Sequence, residues 1–176
     1  MHLVPRGSLK KCRAIKTKTQ TDRTESIMPT HTPDLTKQAP RSPRVRLGGY
    51  VILPRMLDKG RATLAGKNGE YHYACPLDHR LLDFVGIDPE VLKKELATGK
   101  GDGEILEWIQ AHAKNKPSDF EVASWSAHAE QRAPADTEGR EYLNGIHTAS
   151  APKREDIVTW FDVLDVDDYV SYGGKA

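Results

Sequence analysis

Pro54-Arg55-Met56-Leu57-Asp58-Lys59-Gly60-Arg61-Ala62-Thr63-Leu64-Ala65, followed by Gly66-Lys67-Asn68-Gly69, decides the fold class. Proline at 54 suits the first turn of a helix, where its missing N–H has no intrahelical partner to lose. No β-branched run interrupts the stretch, and the two glycines beyond it give a stop. The spacing therefore predicts a helix over 54–65, with Met56, Leu57 and Leu64 as core positions. Gly60 costs such a helix about 1 kcal/mol against alanine. Its presence points to a close crossing with a second helix.

Working outward, the chain reads as short helices separated by glycine and proline. Leu77, Leu81, Leu82 and Val85 predict a helix over 77–85, closed by Gly86. Asp88-Pro89 is a cap followed by a first-turn proline, with Val91, Leu92 and Leu96 as the apolar face. Asp102 is a candidate cap for a helix over 103–113 that buries Ile105, Leu106, Trp108 and Ile109. Pro117 opens a further helix over 118–132, anchored by Phe120, Val122 and Trp125. Residues 133–151 read as loop with a short helix around 140–143. A last helix over 154–164 uses Ile157, Val158, Trp160, Phe161 and Leu164. The single strand-like stretch is 70–75, where aromatic residues alternate, so a small β-hairpin near 66–75 is the expected addition. The architecture expected is mainly all-α, a compact multi-helix domain over 40–176.

The 176 residues do not all enter that domain. Residues 1–8 carry the Leu-Val-Pro-Arg-Gly-Ser of a thrombin site and read as a vector remnant. Residues 9–39 read as a flexible basic leader poor in large apolar side chains. Residues 1–46 hold 11 Lys/Arg against 3 Asp/Glu, a balance of +8, so a chain of net +1 leaves −7 for the body. A basic tail can contact nucleic acid, but no aromatic residue interleaves with these charges, so nucleic-acid binding is disfavoured. The two cysteines, Cys12 and Cys75, imply no disulfide framework. No run of about 18 apolar residues exists, which argues against a membrane span and for a cytoplasmic protein.

Pro40-Arg41-Ser42-Pro43, then Leu47-Gly48-Gly49, then 53–59, together with Tyr71, Leu77-Asp78 and Trp108, carry a family likeness. On these residues the chain resembles domain of unknown function 5069, from about residue 40 to the C-terminus. The resemblance implies a stand-alone domain of bacterial origin and no assigned activity.

Four groups of residues could carry chemistry. Arg55, Asp58, Lys59 and Arg61 lie three or four apart on the first helix. An aspartate between two arginines stays ionised, and the surplus positive charge could receive a carboxylate or phosphate. The plainer reading, weighed above it, is an ion-pair lattice that locks the leader to the body. His72, Cys75, Asp78 and His79 are all of metal-ligand type, yet their spacing matches no standard zinc site. Trp125 and His128 share a helix face, with Glu130 well around from it, an arrangement more typical of packing than of a catalytic base. Asp162, Asp165, Asp167 and Asp168 could offer oxygens to a hard cation such as calcium, though the twelve-residue calcium loop is absent. A solvated acidic end outweighs that reading.

No phosphate-binding glycine loop, dinucleotide fingerprint, nucleophile elbow or zinc-protease helix is present. Two functions stay open. In the first, the protein binds a small anionic ligand or a protein partner through Arg55, Asp58, Lys59 and Arg61. In the second, it is a metal-assisted hydrolase of a small ester or lactone. Asp78, His79 and His128 are then its catalytic residues, and His72, Asp162, Asp165 and Asp167 hold a divalent metal, calcium or zinc.

Overall fold

A computed structural model describes residues 32–176; residues 1–31, where the vector remnant and most of the basic leader are expected, lie outside the described residues. Seven helices are formed among them: α1 (Leu53–Leu64), α2 (Pro76–Val85), α3 (Pro89–Leu96), α4 (Asp102–His112), α5 (Asp119–Glu130), α6 (Thr137–Ser150) and α7 (Trp160–Ser171). The mainly all-α expectation holds.

Helix α1 is the axis of the molecule. Every residue from Leu53 to Ala62 is buried, the four charged ones included. The helical period sets Leu53, Met56, Leu57 and Gly60 on one face and Arg55, Asp58 and Lys59 on the other. The apolar face joins Leu81, Leu82, Val85, Leu92, Leu96, Ile105 and Ile109 of α2–α4 in the principal core. At Gly60 a Cβ would stand 2.5 Å from Leu96 Cδ1 and 3.2 Å from the Tyr73 ring. The close crossing read from this glycine is thus the contact of α1 with α3.

A second core lies between α6 and α7, around Leu143, Ile157, Val163 and Val166. Val51 and Ile52, just before α1, meet Ala129 of α5 and Phe161 of α7 in a third cluster, and Trp125 packs against both this cluster and the principal core. Ile52 is held at φ 70°, a region β-branched residues avoid. Complete burial of its side chain and a 2.8 Å bond from its N–H to Pro43 O fix it there.

The caps follow the sequence closely at two helices. Asp88 accepts from the N–H groups of Glu90 and Val91, and Ser118 forms a reciprocal capping box with Glu121. Four expectations are corrected. Asp102 does not cap α4; Gly101 takes that position, and the Asp102 carboxylate turns to Arg41 and Arg61. Residues 66–75 form turns rather than a hairpin, because their backbone bonds close locally, as in Tyr71 N–H to Asn68 O. The short helix at 140–143 is the middle of α6, which Asp136 caps and which packs against α7. The last helix starts at Trp160, not 154, because Thr159 and Asp162 form the capping box there. Among the described residues no helix is long and apolar enough to cross a membrane.

Candidate functional site

The charged face of α1 makes no lattice within its own helix. Each buried charge meets another segment before it can reach a neighbour three residues away. Arg55 donates to both carboxylate oxygens of Asp168 on α7, at 2.6 and 3.3 Å. Lys59 Nζ donates to Asp78 Oδ1 on α2 at 2.8 Å, and Arg61 reaches Asp102 on α4. Asp58 is taken by Arg41, whose backbone N–H, Nε and a terminal nitrogen bond it at 3.0, 2.9 and 2.7 Å. Arg41 also bonds Asp102 at 2.6 Å.

Four cations therefore face four carboxylates. The surplus positive charge expected around Arg55, Lys59 and Arg61 is consumed inside the fold. What forms is the lattice that fastens the segment before α1 to the body, and it extends further along the chain. Arg44 binds Asp162 and Asp165 of α7, and Arg46 binds Glu130 of α5 at 2.9 Å.

The electrostatics follow the burial. Burial alone would raise the Asp102 carboxyl, but hydrogen bonds from Arg41 and Arg61 outweigh it and hold the group below the usual carboxylate value. At Asp162 burial is likewise overcome, by bonds from Thr159 and Val158 and by the charge of Arg44. Burial, and then its bond to Asp168 at 2.8 Å, pushes the Tyr71 phenol far up, so it remains a donor at any ordinary pH.

Over the same face of α1 opens a cleft of about 610 Å³. Arg55 and Lys59 line it from α1, Tyr71, His72 and Cys75 from the connection before α2, and Asp167, Asp168 and Ser171 from α7. Leu35, Leu77 and Tyr172 add apolar wall, and Tyr172 donates to Leu35 O at 2.7 Å. The Arg55 guanidinium also lies over the Tyr71 ring, 5.5 Å from its centre. Lys59, buried apart from this cleft, sends a second hydrogen bond to Cys75 Sγ at 3.2 Å.

The residues singled out in the sequence are scattered relative to this cleft. Arg55, Lys59, His72 and Asp167 line it, and Asp167 there accepts from Ser150 at 3.1 Å. Asp58 and Arg61 lie on α1 outside the cleft lining and are spent on Arg41 and Asp102. Asp78 is fully buried beneath it as the partner of Lys59. His79 is exposed on α2, and His128 is exposed on α5. Asp162 and Asp165 line a separate surface depression beside Arg44. Among the described residues no group of three or more His, Cys, Asp or Glu is placed to hold a metal ion.

Tyr71, Arg41 and the Lys59–Cys75 contact were not read as a site from the sequence, and Asp168 was read only among carboxylates for a hard cation or a solvated acidic end, not as the partner of Arg55. One signal was available: Asp162, Asp165 and Asp168 recur every three residues, which puts them on one face of a helix rather than in a solvated tail.

No curated protein matches the chain with significant similarity. The sequence profile of a family described as a domain of unknown function, DUF5069, matches residues 37–170, a span that takes in Arg41, Arg44 and Arg46, all of the first six helices and nearly all of α7. The chain belongs to the DUF5069 family.

Proposed function

We propose that the protein is a binding domain for a small organic molecule, seated in the cleft over α1. The observation that supports this reading is the cleft itself: about 610 Å³, with two otherwise buried cations on its floor. That size falls within the roughly 300–1,000 Å³ of ordinary small-molecule sites. Because Arg55 and Lys59 already face Asp168 and Asp78, the floor offers hydrogen-bond donors without surplus charge. Lys59 spends two of its three N–H groups among the described residues, on Asp78 and Cys75. The ligand that fits presents one acceptor, a carbonyl or a single carboxylate, and lays a flat apolar body against Tyr71, Leu77 and Tyr172. A multiply charged phosphate would meet Glu70 and Asp167 at the cleft wall with nothing to offset it.

Benzoate and inorganic phosphate separate these cases in a titration followed by amide chemical shifts. Benzoate is expected to move the amides of Tyr71, His72, Leu77 and Ser171, and phosphate to leave them in place. A response to benzoate elsewhere on the molecule, or none, removes the reading. A stronger response to phosphate would return it to an anion site.

A further inference from the structure

We propose that Lys59 and Cys75 form an oxidation-driven covalent bridge, Nζ–O–Sγ, with a peroxide as the oxidant. Lys59 Nζ stands 3.2 Å from Cys75 Sγ, which leaves the width of one inserted oxygen between them once the two side chains settle. The partners differ in access. Cys75 is half-buried and lines the cleft, whereas the Lys59 side chain is only 4% exposed. A small oxidant entering the cleft reaches sulfur first, and the product forms beside a nitrogen with nowhere to go.

Two further features hold the pair in place. Cys75 occupies the N-cap of α2 ahead of Pro76, and Ala74 before it sits in the left-handed region at φ 57°, a conformation non-glycine residues adopt at a cost. Asp78 bonds Lys59 through Oδ1, while its Oδ2 is buried and has no hydrogen-bond partner among the described residues. A buried carboxylate oxygen without a donor is costly. It gives the ammonium proton a place to go.

The balance closes on that proton. One peroxide converts the Cys75 thiol to a sulfenic acid and releases water. A second joins the sulfenic oxygen to the Lys59 nitrogen. The S–H bond, the sulfenic O–H bond and two N–H bonds break, and S–O and O–N bonds form. Sulfur and nitrogen each lose two electrons, and each peroxide gains two. One peroxide oxygen stays as the bridge, and three leave as water. Asp78 ends protonated as the ammonium charge disappears, so no unpaired charge is left in the interior. The bridge would tie α1 to the start of α2 and remove a donor from the cleft floor. It needs no ligand in the cleft and stands apart from the binding reading above.

The test uses the full chain with Cys12→Ser, so that Cys75 is the sole thiol. Treatment with a few equivalents of hydrogen peroxide should raise the intact mass by about 14 Da, one oxygen gained and two hydrogens lost, where a sulfenic acid alone would add about 16. Peptide mapping should show the Lys59 and Cys75 peptides joined, and dithiothreitol should separate them. The same treatment of Lys59→Arg should yield only Cys75 oxygen adducts. Should that variant fail to fold, the map of the lysine-bearing protein still decides. Adducts of about 16 or 32 Da on Cys75 with Lys59 unmodified, or a thiol that stays unreacted, would overturn the bridge.

Discussion

Arg55 and Asp168 are 113 residues apart in sequence and nearly excluded from water, with side-chain exposures of 4% and 10%. Both carboxylate oxygens of Asp168 are engaged by Arg55, and Tyr71 adds a third donor. Taking such a pair out of water offsets much of its attraction, so its presence is weak evidence of net stabilisation. Removing one partner is a different matter, because the other is left buried and charged. Arg55→Met should therefore cost about 3–5 kcal/mol in urea unfolding, and adding Asp168→Leu should recover most of that loss. A single variant that loses less than about 1 kcal/mol would mean that water reaches Asp168.

At the scale of the element, α1 is a helix buried along ten residues that yet carries two arginines, a lysine and an aspartate. Its identity as a helix depends on local properties, but its position depends on Gly60. Alanine there gains about 1 kcal/mol in helix propensity and drives a methyl to 2.5 Å from Leu96, a side chain only 3% exposed. Overpacking of this kind costs about 1–3 kcal/mol, so Gly60→Ala should lower the thermal midpoint although it favours the helix. A higher midpoint would show that α1 and α3 part without loss. Helices α6 and α7 follow a different logic: α6 carries Gly139 and Gly145, buries only Leu143 among its residues, and is secured through α7.

Over the whole molecule, Arg41, Arg44 and Arg46 act as a strap. Within six residues they reach α1, α4, α5 and α7, so one short segment fastens helices that the chain visits over the next 120 residues. The strap makes stability depend on acid. The Asp102 carboxyl is held below its unfolded value of about 3.9. Its contribution is then fully present above that value and is lost as pH falls through the lower, folded value. Stability should decline below about pH 4, and Asp102→Asn should flatten that part of the profile while leaving the slope near neutrality unchanged. An identical acid limb in Asp102→Asn would place the sensitivity elsewhere.

What the residues determined by themselves was local. Four of the helices, α1, α2, α3 and α5, are marked by Pro54, Pro76 and Pro89 in first turns, by Asp88 and Ser118 as caps, and by Gly86 as a left-handed stop. These signals act within a turn of the chain, so they are legible without a fold. Where they were weak or displaced, as at 133–164, the ends of α6 and α7 were misplaced, because those helices depend on packing against each other. The charged residues of α1 were visible as a group, but their partners were not. Ion pairing is decided by which segments meet, and the carboxylates that complete Arg55, Lys59 and Arg61 come from Asp168, Asp78 and Asp102 on three other helices. The cleft and the contact of Lys59 with Cys75 belong to that same level, since sequence sets the chemistry of each side chain and only tertiary packing sets the distance between them.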